Sequence, residues 1–215
     1  MTARRFSPLD RLIIGFDRGL TTLLNVSSAR SQRACPGQNI EEHPLTDAEK
    51  RHVAGLVRVN HAGEVSAQAL YQGQGLSARD AAIRKSMQQS ATEEVDHLAW
   101  CEQRLHELGG HTSILNPIWY LGSFTIGAVA GFCGDKWSLG FITETERQVV
   151  RHLQGHLQSL PVRDAKSRAI LEQMQIDEGH HATVALEAGA AELPGSVKQV
   201  MHWTSKFMTS TSYWV

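Results

Sequence analysis

Two short motifs, Glu94-x-x-His97 and Glu178-x-x-His181, each set a carboxylate and an imidazole three residues apart. On a helix that spacing puts both groups on one face, a turn from each other, where together they can bind a divalent metal ion. Alone, the spacing says little. With 14 glutamates and 11 histidines in 215 residues, chance supplies roughly 0.7 such pairs. A third pair, Glu49-x-x-His52, is set aside because Glu49 completes a capping box with Thr46. The arrangement of the other two carries more weight. Glu64 precedes Glu94 by 30 residues and Glu146 precedes Glu178 by 32, so the chain reads Glu, Glu-x-x-His, Glu, Glu-x-x-His, an internal repeat.

Positioning these groups requires helices, and the apolar spacing predicts four. The first follows Thr46 and carries Val53, Leu56, Asn60, Glu64, Ala67 and Tyr71 at steps of three and four. The second starts at Ser77 to Asp80, carries Met87, Glu94, His97, Cys101, Arg104 and Leu108, and stops at Gly109-Gly110. The third runs from about Trp137 to Leu160 through Leu139, Ile142, Glu146, Val149 and Leu153. The fourth starts near Asp164 and carries Leu171, Met174, Glu178, His181 and Ala185. No alternating strand pattern or hairpin signal appears. The expectation is an all-α, ferritin-like four-helix bundle with additional N-terminal and C-terminal helices, the latter through Val197, Val200, Met201, Thr204 and Phe207.

Each of the four glutamates falls on the apolar stripe of its helix, where an ionised carboxylate is costly unless paired or bound to metal. Arg104 is the one cation on those stripes, which disfavours a metal-free core of salt bridges. The donor set, one Glu from each of two helices and one Glu-x-x-His from each of the others, is the dimetal carboxylate pattern. Mixed oxygen and imidazole donors suit iron or manganese. A zinc hydrolase, with three ligands and an open position, fits less well. Glu93 and Asp177, each directly before a motif glutamate, are either acids that orient a histidine, on their own helix or the facing one, or solvated surface groups. His61 and His152 lie within two turns of Glu64 and Glu146 and are further second-layer options.

Balanced charge, 21 basic against 22 acidic residues, argues against a nucleic-acid partner, which needs a basic stripe. Cys35, Cys101 and Cys133 form neither a disulfide framework nor a Cys-x-x-Cys, which fits a reducing compartment. Residues 1–45 divide into an amphipathic helix starting at Ser7-Pro8 and a polar linker over 25–45; residues 46–215 form the bundle. Residues 112–134 are uncharged, and three readings stay open for them: a crossover helix packed in the core, a patch that dips into lipid, or a span. Pro117, Asn116 and four glycines speak against the span.

Arg58-Val59-Asn60-His61-Ala62-Gly63-Glu64, Glu93-Glu94-Val95-Asp96-His97-Leu98, Glu146 with His152 six residues later, and Asp177-Glu178-Gly179-His180-His181 resemble the demethoxyubiquinone hydroxylase family of ubiquinone biosynthesis. The resemblance covers about residues 46 to 210, and the heptapeptide ending in Glu64 is its most specific part. It implies two iron ions held by Glu64, Glu94, His97, Glu146, Glu178 and His181, with His152 close behind them. It further implies a monooxygenase that uses dioxygen to hydroxylate the ring of a polyprenylated 6-methoxy-3-methyl-1,4-benzoquinol. Such an enzyme would sit peripherally on the cytoplasmic face of the cell membrane, touch lipid through residues 112–134 and work beside other ubiquinone-biosynthesis proteins. Where some members have a tyrosine directly after the histidine matching His152, this chain has Leu153, so no role of that tyrosine transfers. No Gly-x-Gly-x-x-Gly follows a strand, so no dinucleotide-binding domain is visible. The competing expectation is a ferritin-like iron oxidase or storage protein, which has little use for the uncharged stretch.

Overall fold

Thr46 starts the first helix as its sequence predicts. Its hydroxyl accepts the Glu49 N–H, and the Glu49 carboxylate accepts the Thr46 N–H at 2.8 Å, so two otherwise orphaned donors are satisfied. In the computed structural model, which describes residues 17, 19–23, 31–76 and 78–215, this helix is α1 (Asp47–Gly75). It is followed by α2 (Ala81–Glu107), α3 (Asn116–Phe132), α4 (Asp135–Ser159), α5 (Ala165–Glu187) and α6 (Gly195–Ser212). No strand occurs among the described residues. Gly109, at φ 69°, ends α2, and its Gly110 neighbour donates back to the Leu105 carbonyl at 2.8 Å. Asp164 caps α5 by accepting the Ser167 N–H at 3.0 Å.

The bundle consists of α1, α2, α4 and α5. Short connections join α1 to α2 and α4 to α5, and each of these pairs packs along its length, with α2 also touching α5 and α1 touching α4. The turns set the height of the motif residues. Glu64 stands 14 residues before position 78 and Glu94 16 after it, while Glu146 and Glu178 stand 16 on either side of position 162. All four carboxylates therefore arrive in one layer. Above and below that layer the core is apolar. One cluster contains Val53, Leu56, Trp100, Leu105, Leu153 and Met174, and the other Ala67, Tyr71, Met87, Leu139, Ile142 and Ala185. On each helix the motif residues lie between positions belonging to the two clusters.

Of the three readings left open for residues 112–134, the structure favours neither core helix nor span. α3 lies on the outside of α1, with Asn116, Gly127 and Gly131 inward and Ile118, Leu121, Ile126, Val129 and Phe132 exposed. The close approach depends on two glycines. A Cβ on Gly73 would collide with the Phe124 carbonyl of α3, and one on Gly127 with the Leu70 carbonyl of α1. Among the described residues no helix is long and apolar enough to cross a membrane. α6 forms where expected, but Val200, Trp203 and Phe207 point outward, beside α3, with the Trp119 and Phe207 rings 6.0 Å apart.

The N-terminal helix expected from Ser7 lies mostly outside the described residues, of which 19–23 are helical. The polar stretch over 31–45 contains no helix, yet it is held against the bundle: Leu45 is buried, Cys35 packs on the core, and Arg33 and Glu42 make ion pairs with α2.

Candidate metal centre

The six motif residues converge. Glu64 on α1, Glu94 and His97 on α2, Glu146 on α4, and Glu178 and His181 on α5 are all buried. Single ligand atoms of Glu64, Glu94, His97 and Glu178 lie within 4.8 Å of one another. Both imidazoles turn Nδ1 inward. His97 Nδ1 is 3.1 Å from Glu94 Oε2, 3.1 Å from Glu178 Oε1 and 3.6 Å from Glu64 Oε2. His181 Nδ1 is 3.2 Å from Glu94 Oε1 and 3.4 Å from Glu178 Oε2. Glu94 and Glu178 thus lie between the two imidazoles, Glu64 stands beside His97, and Glu146 interacts with Glu178 and His181.

The outer nitrogens settle a question that the sequence leaves open. His97 Nε2 donates to Asp177 Oδ2 at 2.9 Å, and His181 Nε2 donates to Glu93 Oε2 at 2.7 Å. Each acid serves the facing helix, so α2 and α5 are cross-linked twice at the level of the site. A carboxylate on Nε2 fixes the proton there and leaves Nδ1 as the donor atom for a metal.

The charges follow from burial and proximity. Burial and the Glu94 charge push Glu64 well above the ordinary carboxylate range. Burial, then Glu178 and Glu94, do the same to Glu146. Burial also acts to raise Glu94, but the His181 ring beside it and the hydrogen bond from His97 hold it well below that range. Burial and the Glu94 charge act to raise Glu178, and the same two imidazoles close by bring it down. For His97, burial favours the neutral ring, but its hydrogen bond to Asp177 and the surrounding Glu178, Glu64 and Glu94 carboxylates together hold it well above its usual value. His181, opposed by burial but with the Glu178 and Glu94 carboxylates beside its ring, is pushed up to about 12. Protons are thus favoured on the two imidazoles and on Glu64 and Glu146 over Glu94 and Glu178.

Three further histidines make other contacts. His152 lies against His156 with ring centroids 3.9 Å apart and the ring planes tilted by 60°, beside a cavity of about 300 Å³ lined by Val59, Thr209 and Tyr213 among others. Its described contacts are on that side and with none of the six residues. His61 is fully buried between Glu102, at 3.5 Å, and Asn116, at 3.3 Å. His52 bonds to the Tyr213 hydroxyl at 2.7 Å, in keeping with the dismissal of its Glu-x-x-His.

Two contributors were not singled out from the sequence. The Tyr71 hydroxyl donates to Glu146 Oε1 at 2.7 Å. Tyr71 lies on the same stripe as Glu64, seven residues on, and that periodicity was the available signal. Arg33 reaches Asp177 at 2.8 Å from a segment with no periodic signal at all.

The family model for the ubiquinone biosynthesis protein COQ7 matches residues 51–212. The chain belongs to the COQ7 family. Full-length similarity agrees with this membership. The chain is 57% identical over 215 residues to the 3-demethoxyubiquinol 3-hydroxylase of Nitrosococcus oceani, covering 100% of both chains. It is 56% identical over 212 residues to the protein of the same name from Legionella pneumophila strain Corby, 99% of this chain and 100% of that one. With that of Chromobacterium violaceum it shares 58% over 205 residues, 95% and 98% of the two chains.

The cluster in this COQ7-family chain fits a metal on its own chemistry. Glu94 Oε1, Glu146 Oε2, both Glu178 oxygens and His181 Nδ1 are buried without a hydrogen-bond partner. Native interiors rarely leave so many polar atoms of one cluster unpaired, because each carries its full desolvation penalty. All five belong to the six motif residues.

Proposed function

We propose that the protein is a dimetal monooxygenase, a 3-demethoxyubiquinol 3-hydroxylase of ubiquinone biosynthesis, with two iron ions held by Glu64, Glu94, His97, Glu146, Glu178 and His181. One observation carries the reading: two imidazoles, each fixed from outside by an acid of the facing helix, aim Nδ1 at a common set of unpaired carboxylate oxygens. Glu64 lies beside His97 and Glu146 near His181, with Glu94 and Glu178 between the two imidazoles, and these six side chains would hold the pair. Bound there, the iron pair would supply the activation of dioxygen and the insertion of one oxygen atom into the ring.

The chain's own residues do the rest. Asp177 and Glu93 hold the Nε2 protons, so each ring keeps the tautomer that presents Nδ1. The Tyr71 hydroxyl holds one Glu146 oxygen and leaves the other free. The apolar clusters on either side exclude bulk water. A cavity of about 220 Å³ between α1 and α2 is lined by Gln68, Gln72, Gln88 and Val95 among others. Gln68 is one helical turn from Glu64, and the buried Nε2 of Gln72 has no partner while its Oε1 accepts the Tyr120 hydroxyl of α3. This cavity offers amide groups to the hydroxyl and methoxy oxygens of a benzoquinol ring.

A polyprenyl tail resides in lipid, and the exposed side chains of α3 and α6 form an apolar surface suited to a bilayer interface. The protein accordingly works as a peripheral enzyme on the cytoplasmic face of the cell membrane, within the bundle of residues 46–215 and beside other enzymes of the route. An iron oxidase or storage protein has no use for that surface. Flotation with liposomes tests it: Leu121→Glu with Val129→Glu should leave the protein in the dense fraction, and unchanged partitioning would discard the lipid contact. The activity is tested by anaerobic iron reconstitution and by quinone extracts of cells lacking the gene. Two irons per chain are expected, together with accumulation of a precursor short of one hydroxyl-derived methoxy group. Stray iron only, or a normal quinone profile, refutes the hydroxylase.

A further inference from the structure

The two halves of the centre are matched on the inside and unequal on the outside. Behind His181, the Glu93 carboxylate is 31% exposed and has one further bond, from the Gln89 amide at 3.4 Å. Behind His97, Asp177 is 12% exposed and doubly held: Arg33 Nη1 donates to its Oδ2 at 2.8 Å and Gln173 Nε2 to its Oδ1 at 2.9 Å. Arg33 is itself fixed on two further sides. Its Nε donates to Asp96 Oδ2 at 2.8 Å and its guanidinium carbon lies 4.8 Å from the centre of the Trp100 ring. Asp96 Oδ1 completes the anchorage by accepting from Ser31 Oγ at 2.9 Å and from the Gln32 N–H at 2.6 Å. The Trp100 ring in turn lies 5.3 Å from the His97 ring.

We propose that Arg33 is a positioning residue that clamps Asp177 behind His97, making the two metal positions unequal, with the His97 position the more firmly held. The proposal rests on the dimetal reading above. A planar guanidinium is the side chain suited to the task, because it presents separate donors to Asp96 and Asp177 while its face lies on Trp100. Arg33 lies outside the stretch that matches the family model.

Co²⁺ titration with chelator competition, read by the absorption bands of the bound ion, tests the proposal. The unaltered protein should take up two Co²⁺ in two distinguishable steps. Arg33→Gln should weaken one step about tenfold or more, the range seen when a group behind a metal ligand is lost, and should shift one set of bands while sparing the other. Arg33→Lys should not restore the step, because one ammonium cannot span both acids. Glu93→Gln should weaken the other step. Asp177→Asn keeps the Arg33–Asp96 pair, and so the anchored segment, and should weaken the same step as Arg33→Gln; this covers the case in which Arg33→Gln does not fold. Two unchanged steps in the Arg33 and Asp177 variants, equal weakening of both steps, or full restoration by lysine overturns the assignment and leaves the dimetal reading standing. An unaltered protein that takes up no pair of ions overturns both.

Discussion

Two buried clusters in this protein set carboxylates against cationic groups, and they are built to opposite ends. Around Arg104, which is 1% exposed, all the guanidinium donors are used: Nε to Ser167, Nη1 to Glu42 and Glu107, Nη2 to Glu42 and Asp164, at 2.8 to 3.1 Å. One oxygen, Asp164 Oδ2, is left without a partner. The centre between the helices brings in four carboxylates and two imidazoles and leaves five of their atoms unpaired. The first cluster is closed and ties the 31–45 segment, α2 and α5 together. The second is open toward its own middle. Completeness of hydrogen bonding separates a cluster that holds the fold from one whose chemistry suits a ligand.

The sharpest way to break this contrast is to remove a shared carboxylate. Glu178→Ala should take bound iron below two per chain and lower hydroxylation by at least roughly a thousandfold, several kcal/mol of lost stabilisation at the reacting centre; retention of both iron and activity would merge the two clusters into one structural class. Next, Arg104→Ala should cost about 3 kcal/mol in urea unfolding, since it strands the buried Asp164, while the folded fraction still binds two irons. Metal loading should raise stability by about 4 kcal/mol for each ion bound at a free concentration a thousandfold above its dissociation constant, with the chelator-treated protein showing the lower urea midpoint.

Acid sharpens the comparison further. Loading must displace the protons of His97 and His181, both held above their usual values, and of Glu64 and Glu146, held above the carboxylate range. Affinity should therefore fall as pH falls, about tenfold per pH unit for each proton released. Chelator competition at several pH values, with an indicator dye counting the protons, checks the sign. The smallest effect belongs to Tyr71→Phe. It removes one hydrogen bond to Glu146 and should cost about 1 kcal/mol of stability, with iron still at two per chain.

Much of the centre was legible because helical periodicity carries it. The repeat of Glu and Glu-x-x-His fixed which stripe each residue shares, and the lengths to the two turns brought those stripes level. Glu93 and Asp177 could be picked out by phase, but not their partners, because one helix says nothing of the rotation of the next. Arg33 lay outside the method: it acts from an irregular segment over 63 and 144 residues of sequence separation, a distance that no local pattern encodes. The outward face of α3 was hidden for a different reason. An apolar, glycine-bearing helix reads alike whether its large side chains meet protein or lipid, and only the position of Gly73 against Phe124 shows which side is turned in.

The glycine contacts between α1 and α3 couple the outer apolar helix to the chemistry. With each backbone seated against the other, the outer helix has no room to slip along the inner one, and the inner one carries Glu64. On the proposed lipid contact through α3, the depth at which the molecule settled into a bilayer would be transmitted as a fixed height for that carboxylate, and a tailed quinol would meet it at one set level above the lipid.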